Sequence, residues 1–244
     1  MERAEKELSR MPDKLRQIIA IGGGGFYRDA ANLALEKYVI QQSGAAAPRV
    51  AFVPTASGEP DHYVASFYAA FLQLGCRPSV LTFFKRTPEL RSFLLDQDVI
   101  YVGGGNTKTL LAVWRDWGVI EILREAWESG VVLTGVSAGA ICWFEQGLTD
   151  SFSDALRPLD GLGFLPGSCC PHDDGEPQRR PSYHRLLAGG EISAGVAIED
   201  WTAVHYQGPG ICRVVASRDG ARAYSLRSVY GSVQEVPLPV EYLR

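Results

Sequence analysis

Short apolar runs alternate with longer amphipathic segments through much of this chain. The short runs are rich in β-branched residues and end in glycine or a polar turn, which is typical of buried β-strands. The longer segments carry apolar residues at helical spacing, which predicts helices. The predicted strands are QIIAIGG at 17–23, RVAFVPTAS at 49–57, residues 79–84, DVIYVGGG at 98–105 and residues 131–136. The predicted helices are residues 29–42, 63–74, 88–95, 108–128 with a break at Gly118, and a helix that starts within 138–144.

This alternation constrains the architecture. Repeated strand–helix units predict a parallel sheet that carries helices on both faces. The run VVLTGV at 131–136 is apolar at nearly every position, as strands covered on both faces are. From Ala194 onward the apolar runs are shorter and are separated by turn residues such as Gly208 and Gly220, which predicts hairpins. We therefore expect an α/β fold with a doubly wound, mostly parallel sheet and a small antiparallel C-terminal extension.

Length and composition limit the domain organisation and the partners. With 244 residues, 46% of them hydrophobic and no clear linker, the chain is expected to form a single domain over 1–244. Residues 1–15 are charged, so we expect a helical or disordered lead-in and no secretory signal. The net charge is −4, which disfavours a nucleic-acid partner. Since no apolar run reaches the ~18 residues of a membrane span, no membrane partner is expected.

The cysteines indicate the compartment. The chain has five cysteines, an odd number, and no two of them have C-x-x-C spacing. This predicts reduced thiols in a cytoplasmic protein. The adjacent Cys169 and Cys170 are expected to be small apolar side chains near a strand end and not metal ligands. We expect neither a metal nor a cofactor, and the sequence leaves open whether the chain forms a homo-oligomer.

Glycine-rich and polar loops follow four of the predicted strands. In open parallel sheets, ligands bind beyond the carboxyl ends of the strands. The loops at these ends are GGGGF at 22–26, PTASGE at 54–59, GGGNT at 103–107 and GVSAGA at 135–140. We expect the functional site to be assembled from them.

The loop GVSAGA contains a candidate nucleophile, Ser137. Residues 135–139 fit G-x-S-x-G, with a predicted strand before the motif and a predicted helix after it, which is the context that the motif requires. So sharp a turn needs small residues two positions to either side of the serine. It places the hydroxyl at a helix N-terminus, where developing negative charge is favoured. The alternative is a serine that only caps the helix, but the combination of motif and context favours a nucleophile.

A serine nucleophile needs a general base, and the chain has four histidines: His62, His172, His184 and His205. His172 lies in the polar segment SCCPHDD directly after a proline, which restricts the backbone and suits a general base. His184 lies in a helical segment and is expected at the surface. His205 alternates within a predicted strand, and His62 remains an open candidate.

The third catalytic group is expected to be a carboxylate that orients the imidazole. Asp173 and Asp174 adjoin His172 in the sequence, so they cannot easily reach its far nitrogen. Glu199 and Asp200 follow the apolar strand GVAI at 195–198. A strand-end acid is rigidly held, so this pair is favoured, with either residue open.

Four segments together resemble the peptidase E family of serine peptidases, which includes aspartyl dipeptidase and cyanophycinase. The segments are YVGGGNT at 101–107, TGVSAGA at 134–140, CPHDD at 170–174 and AIEDWTA at 197–203, in that order. The resemblance extends over most of the chain. It implies a fold like that of the glutamine amidotransferases, with serine in place of the amidotransferase cysteine.

The resemblance also implies a role for each matching residue. Ser137 attacks the scissile carbonyl and His172 takes its proton. The third member matches Asp200 best, with Glu199 as the alternative acid. The activity that the resemblance implies is that of a serine exopeptidase, which hydrolyses short peptides and is expected to cut dipeptides, either of the Asp-X type or more broadly.

The resemblance further assigns the residues that surround the reacting group. The oxyanion donors match the backbone N–H groups of Gly105 and Ala138, and each such donor contributes roughly 2.7–4 kcal/mol to catalysis. Aspartyl dipeptidase carries a longer segment after its histidine, with an arginine that binds the substrate. Here the segment is shorter and offers Arg179, Arg180 and Arg185, of which Arg180 is the favoured match. Asn106 and Asp173 are the other expected substrate contacts. Because the carboxylates of Asp173 and Asp174 disfavour an acidic substrate, broader dipeptidase activity stands beside Asp-X specificity.

Two other classes of function compete with the peptidase. One is an α/β-hydrolase-type esterase, which orders its triad as serine, acid and histidine and would use Asp200 with His205. The other is a catalytically inactive homologue that binds peptides or nucleotides. The GGGGF loop suggests phosphate binding, although Tyr27 occupies the place of the third glycine in the dinucleotide motif.

Overall fold

The computed structural model describes residues 15–152 and 155–243. The lead-in expected at 1–15 therefore lies, except for its last residue, outside the described residues. The strands are β1 (Gln17–Ile21), β2 (Arg49–Val53), β3 (Arg77–Val80), β4 (Val99–Val102), β5 (Val132–Val136), β6 (Phe144–Thr149), β7 (Arg157–Asp160), β8 (Leu165–Pro171), β9 (Gly195–Ile198), β10 (Thr202–Gln207), β11 (Gly210–Ala216), β12 (Ala223–Val229), β13 (Ser232–Pro237) and β14 (Glu241–Tyr242). The helices are α1 (Ala34–Gln41), α2 (Asp61–Gln73), α3 (Leu90–Leu95), α4 (Thr107–Asp116), α5 (Val119–Glu128), α6 (Ala138–Ile141) and α7 (Arg179–Ala188), with a 3-10 turn at Thr55–Ser57.

The larger sheet has eight strands in the order β14-β11-β10-β1-β5-β4-β2-β3. The five strands from β1 to β3 in this order pair in parallel. On the other side of β1, β10 and β11 pair antiparallel. Every residue of β1, β4 and β5 is buried, because helices cover both faces of the sheet.

Alternate side chains of β1 show the two layers of helices. Ile19 and Ile21 pack in one apolar cluster with residues of α1 and α2. Ile18 and Ala20 pack in another cluster with residues of α3, α4, α5 and α6. The α/β architecture predicted from the alternating segments is confirmed.

A second sheet, of six strands, lies beside the first in the order β13-β12-β9-β8-β6-β7. Its central strands β6, β8 and β9 are parallel, and β7, β12 and β13 pair antiparallel at its edges. One face contributes Cys169 and Ile198 to the core of the first sheet. The other face is covered by α7. The antiparallel extension expected from Ala194 is thus divided between two sheets, because strand pairing depends on partners distant in the chain.

The segment after the candidate nucleophile also differs from expectation. Helix α6 has only four residues and ends at Ile141, and β6 begins at Phe144. Trp143 between them is fully buried, so the chain turns into the core instead of extending the helix.

No helix within the described residues is long and apolar enough to cross a membrane. All five cysteines are free thiols, and four of them are buried.

Candidate active site

A cavity of about 490 Å³ opens at the carboxyl ends of β1, β2, β4 and β5. Each of the four expected loops contributes to its wall, through Gly24, Ser57, Gly104 and Ser137. His172, which follows β8, lines the same cavity. The structure therefore brings the candidate nucleophile and the candidate base to one site.

Ser137 occupies a strained turn between β5 and α6. Its backbone has φ 57° and ψ −114°, a conformation that non-glycine residues adopt rarely and that is typical of a nucleophile elbow. A Cβ on Gly135 would lie 2.2 Å from the carbonyl oxygen of Gly139. A Cβ on Gly139 would lie 2.3 Å from the carbonyl oxygen of Val102. Both glycines of the motif are thus required by close backbone contacts.

His172 forms a short hydrogen bond with Asp200. The distance between its Nδ1 and the Asp200 Oδ1 is 2.6 Å, which fixes the ring and turns Nε2 away from the acid. A Cβ on Gly23 would lie 1.9 Å from that Oδ1, so only glycine leaves room for the pair. Among the described residues, no hydrogen bond joins the Ser137 hydroxyl to His172, and such bonds often tighten only when substrate is bound.

The two candidate acids have different partners. Glu199 accepts hydrogen bonds from the backbone N–H of Arg222 at 2.7 Å and from the hydroxyl of Tyr224 at 3.1 Å. These bonds engage both of its carboxylate oxygens within the second sheet. For Asp200, burial acts to raise the pKa, but the hydrogen bond from His172 and nearby arginine charges outweigh it and hold the pKa below its usual value. Asp200 is the acid that the structure places on His172.

The candidate oxyanion donors lie on two loops that meet at the serine. Ala138 is the first residue of α6, directly after Ser137. A Cβ on Gly104 would lie 3.2 Å from the Cβ of Ser137, which shows how closely the loop carrying Gly105 approaches. Within the described residues, neither the Gly105 nor the Ala138 N–H donates to a protein acceptor. Both amides remain available to a bound group.

The three expected substrate contacts lie outside the cavity wall. Arg180 pairs with Asp173 at 3.2 Å and also with Glu235. Burial raises the pKa of Asp173 to about 6, and the charge of Arg180 offsets part of that effect. Asn106 caps α4, since its Oδ1 accepts the N–H of Thr109 at 2.8 Å. The structure therefore does not bring these side chains to the serine.

Side chains that the sequence analysis did not select also line the cavity, among them Tyr27, Arg28 and Tyr63; His62, which was left open as a candidate base, lines it too. The hydroxyl of Tyr27 lies 3.0 Å from His62 Nε2, and its ring centroid lies 4.4 Å from that of Tyr63. The Arg28 side chain is 62% exposed and approaches Asp200 to 4.0 Å. For Tyr27 and Arg28, the signal in the sequence was an aromatic and basic pair one residue after the glycine run 22–25.

The other histidines do not support the esterase alternative. His205 is buried, and its Nδ1 bonds the hydroxyl of Tyr38 at 2.7 Å. Burial lowers its pKa to about 4. His184 is bonded to Glu235 at 2.7 Å. Neither histidine lines the cavity with Ser137, so the base that an esterase order requires is not at the serine.

The GGGGF loop has a structural explanation that does not involve nucleotides. The next helix, α1, begins only at Ala34, so the glycines are not followed directly by a helix N-terminus that could hold a phosphate. Phe26 is buried and contacts the rings of Phe52 and Tyr63. Across 15–152 and 155–243, no three His, Cys, Asp or Glu side chains gather as metal ligands would.

Comparison with known proteins finds relatives of this chain among peptidases. Residues 18–214 match the family model described as peptidase family S51. The chain is 50% identical over 230 residues to the uncharacterized peptidase YgaJ of Bacillus subtilis (strain 168), which covers 94% of this chain and 100% of that protein. It is 27% identical over 199 residues to peptidase E of Shewanella denitrificans, which covers 77% of this chain and 80% of the relative.

Two solved structures share the fold. A peptidase from an acI-B1 Actinobacterium superimposes with a TM-score of 0.71 at 22% identity, over 92% of this chain and 95% of that one. A putative peptidase E protein from Listeria monocytogenes EGD-e gives a TM-score of 0.60 at 20% identity, over 84% of this chain and 100% of that one. With the sequence matches, these findings show that the chain belongs to peptidase family S51.

Proposed function

We propose that this peptidase is a serine exopeptidase that hydrolyses dipeptides through Ser137, His172 and Asp200. The observation that carries the proposal is the short bond between His172 Nδ1 and Asp200 Oδ1, 2.6 Å, beside a cavity lined by both His172 and Ser137. An acid on Nδ1 selects the tautomer in which Nε2 can accept a proton. Family membership supports peptide hydrolysis as the reaction.

The proposed mechanism follows from these positions. The Ser137 hydroxyl attacks the scissile carbonyl carbon while His172 Nε2 takes its proton, and Asp200 stabilises the resulting imidazolium. The N–H groups of Gly105 and Ala138 donate to the oxyanion. His172 then returns the proton to the leaving amine. In the second half of the reaction, a water molecule attacks the acyl-enzyme carbonyl while His172 Nε2 takes a proton from it, and His172 returns that proton to Ser137 Oγ as the acid product leaves.

The size and charge of the cavity support a short substrate. A cavity of about 490 Å³ is in the range that encloses small ligands. Arg28 supplies a cation at its wall that can meet a carboxylate of the substrate. The acids next to His172 are engaged within the protein: Asp173 with Arg180, and Asp174 with the backbone N–H of Asp200 at 2.8 Å. Both Asp-X and broader dipeptides remain within the proposal.

A dipeptide panel tests this function. Asp-X, Ala-X, Gly-X and Arg-X dipeptides, free and N-acetylated, are incubated with wild type, Ser137→Ala and the control Ser66→Ala, whose hydroxyl bonds the His62 carbonyl within α2. Wild type and Ser66→Ala should cleave free dipeptides. Ser137→Ala should lose a factor of about 10³ or more in rate, and His172→Ala a similar factor, because the two residues act as one unit.

Two outcomes of the panel contradict the proposal in different ways. Activity retained by Ser137→Ala would exclude this serine as the nucleophile. Equal cleavage of acetylated and free dipeptides would exclude a dipeptidase that recognises the free α-amino group, even with Ser137 confirmed as the nucleophile.

A further inference from the structure

A buried carboxylate lies beneath the cavity wall formed by residues 24–28. Glu36 of α1 is fully buried. Its Oε1 accepts the backbone N–H of Phe26 at 2.7 Å, while Oε2 has no hydrogen-bond partner among the described residues. Gly25 has φ +74°, and a Cβ there would lie 2.6 Å from Oε1. The loop therefore rests directly on the carboxylate.

The hydrogen bond from the Phe26 N–H to Glu36 fixes the loop immediately before two residues that line the cavity. The Phe26 ring is buried among the aromatic residues of the core. The two residues that follow, Tyr27 and Arg28, line the cavity. The N–H of Arg28 donates to the Gly25 carbonyl at 3.0 Å, which closes the turn over Glu36. A shift of the Phe26 amide would thus move both side chains.

We propose that Glu36 is a positioning residue of the active site, which fixes Tyr27 and Arg28 for substrate binding by holding the Phe26 N–H. The inference rests on the proposed function, because it concerns substrate bound in the same cavity. Glu36 does not line the cavity, so it acts only through the loop.

The surroundings of Glu36 link this role to pH. Burial raises its pKa to about 7. The titratable groups beside it are Tyr101 of β4 and Tyr63 of α2. Burial raises the pKa of Tyr63 to about 12 and that of Tyr101 well above its usual value, and the charge of Glu36 adds to both shifts. Both phenols stay neutral near pH 7 and offer no countercharge. Since an ionised carboxylate makes the stronger hydrogen bond to an amide, the loop is held most firmly above pH 7.

The test compares Glu36→Leu, which removes the acceptor, with Glu36→Gln, which keeps an acceptor but cannot ionise. Lys37→Leu is the control, since Lys37 is exposed on the same helix. KM and kcat are measured between pH 6 and 9 with the free dipeptide that wild type cleaves fastest. Hydrogen exchange of residues 22–28, corrected for its intrinsic pH dependence, is measured on the same proteins.

For Glu36→Leu we expect KM to rise about tenfold at pH 8 with little change in kcat, and exchange at 22–28 to accelerate by a similar factor, the equivalent of one lost hydrogen bond. In wild type, KM should rise as the pH falls below 7, because Glu36 becomes protonated and its hydrogen bond to the Phe26 N–H weakens. Glu36→Gln should have a KM within about threefold of wild type at pH 8. Its KM should rise less than that of wild type below pH 7, because glutamine does not ionise. Lys37→Leu should behave as wild type.

Unchanged KM and exchange in Glu36→Leu would overturn the inference, and so would a loss confined to kcat. If Glu36→Leu does not fold, Glu36→Gln decides, because a pH profile of KM identical to that of wild type contradicts the role. Hydrogen exchange does not require peptidase activity. A wild type that cleaves no dipeptide would therefore contradict the proposed function, while exchange would still show whether Glu36 holds the loop.

Discussion

Asp200 and Glu199 are neighbours in the chain, yet their side chains have unrelated partners. Asp200 bonds His172 at 2.6 Å, whereas Glu199 bonds the Arg222 amide and the Tyr224 hydroxyl. Consecutive residues beyond a strand end point in different directions, so one faces the cavity and the other the second sheet. Spacing alone left both acids open.

This difference gives a prediction for the two acids. Asp200→Asn should lower kcat/KM by a factor of about 10³–10⁴, because the amide no longer selects the productive tautomer of His172. Glu199→Gln should leave kcat/KM within about threefold and lower the free energy of unfolding by about 1 kcal/mol, since it weakens two hydrogen bonds. Steady-state kinetics and urea denaturation measure both effects. A dead Glu199→Gln beside an active Asp200→Asn would reverse the assignment.

Among the structural elements, the strand–turn–helix unit of β5 and α6 depends most strictly on its sequence. Its sharp turn brings backbone atoms of β4, β5 and α6 into contact at Gly135 and Gly139. The contact between Gly135 and Gly139 is local, which is why the motif predicted the turn correctly, whereas the contact of Gly139 with Val102 depends on how β4 packs. The length of α6 was not predicted, because the burial of Trp143 that follows Cys142 depends on Trp114 and Phe164, both far away in the chain.

Gly139→Ala tests the steric requirement of this unit. The new methyl group would lie 2.3 Å from the Val102 carbonyl oxygen, so β4 and α6 must separate, at a cost of at least about 2 kcal/mol of unfolding free energy. Gly210→Ala is the matched control, because its nearest contact would be an ordinary 3.9 Å. Denaturant midpoints of the two variants should differ clearly. Equal midpoints would show that the elbow tolerates a larger residue.

For the molecule as a whole, His205 is a source of acid sensitivity. It lies in β10 and bonds Tyr38 of α1, so it joins a helix to the antiparallel side of the larger sheet. Burial lowers its pKa from 6.5 to about 4. The unfolded chain therefore binds more protons between these pH values, and the free energy of unfolding falls as the pH drops from 6.5 towards 4.

The variant His205→Gln isolates this contribution. Wild type should lose roughly 2 kcal/mol of unfolding free energy to His205 across that pH interval. Glutamine cannot be protonated but can still bond Tyr38, so the slope of stability against pH should be smaller in the variant. Urea denaturation at pH 4.5, 5.5 and 7 measures the slope, with His184→Gln as the control for an accessible histidine. An unchanged slope in His205→Gln would contradict the prediction.

The sequence by itself determined the alternating elements, the four loops at the strand ends and the elbow around Ser137. Each of these depends on local periodicity or on sterics within a few residues. Tertiary structure decided the second sheet, the partner of Asp200 and the wall of the cavity. Tyr27 meets His62 across 35 residues of chain, and Arg180 turns to Asp173 and Glu235 instead of the cavity. Such contacts join segments whose local patterns carry no information about one another, so only the folded chain fixes them.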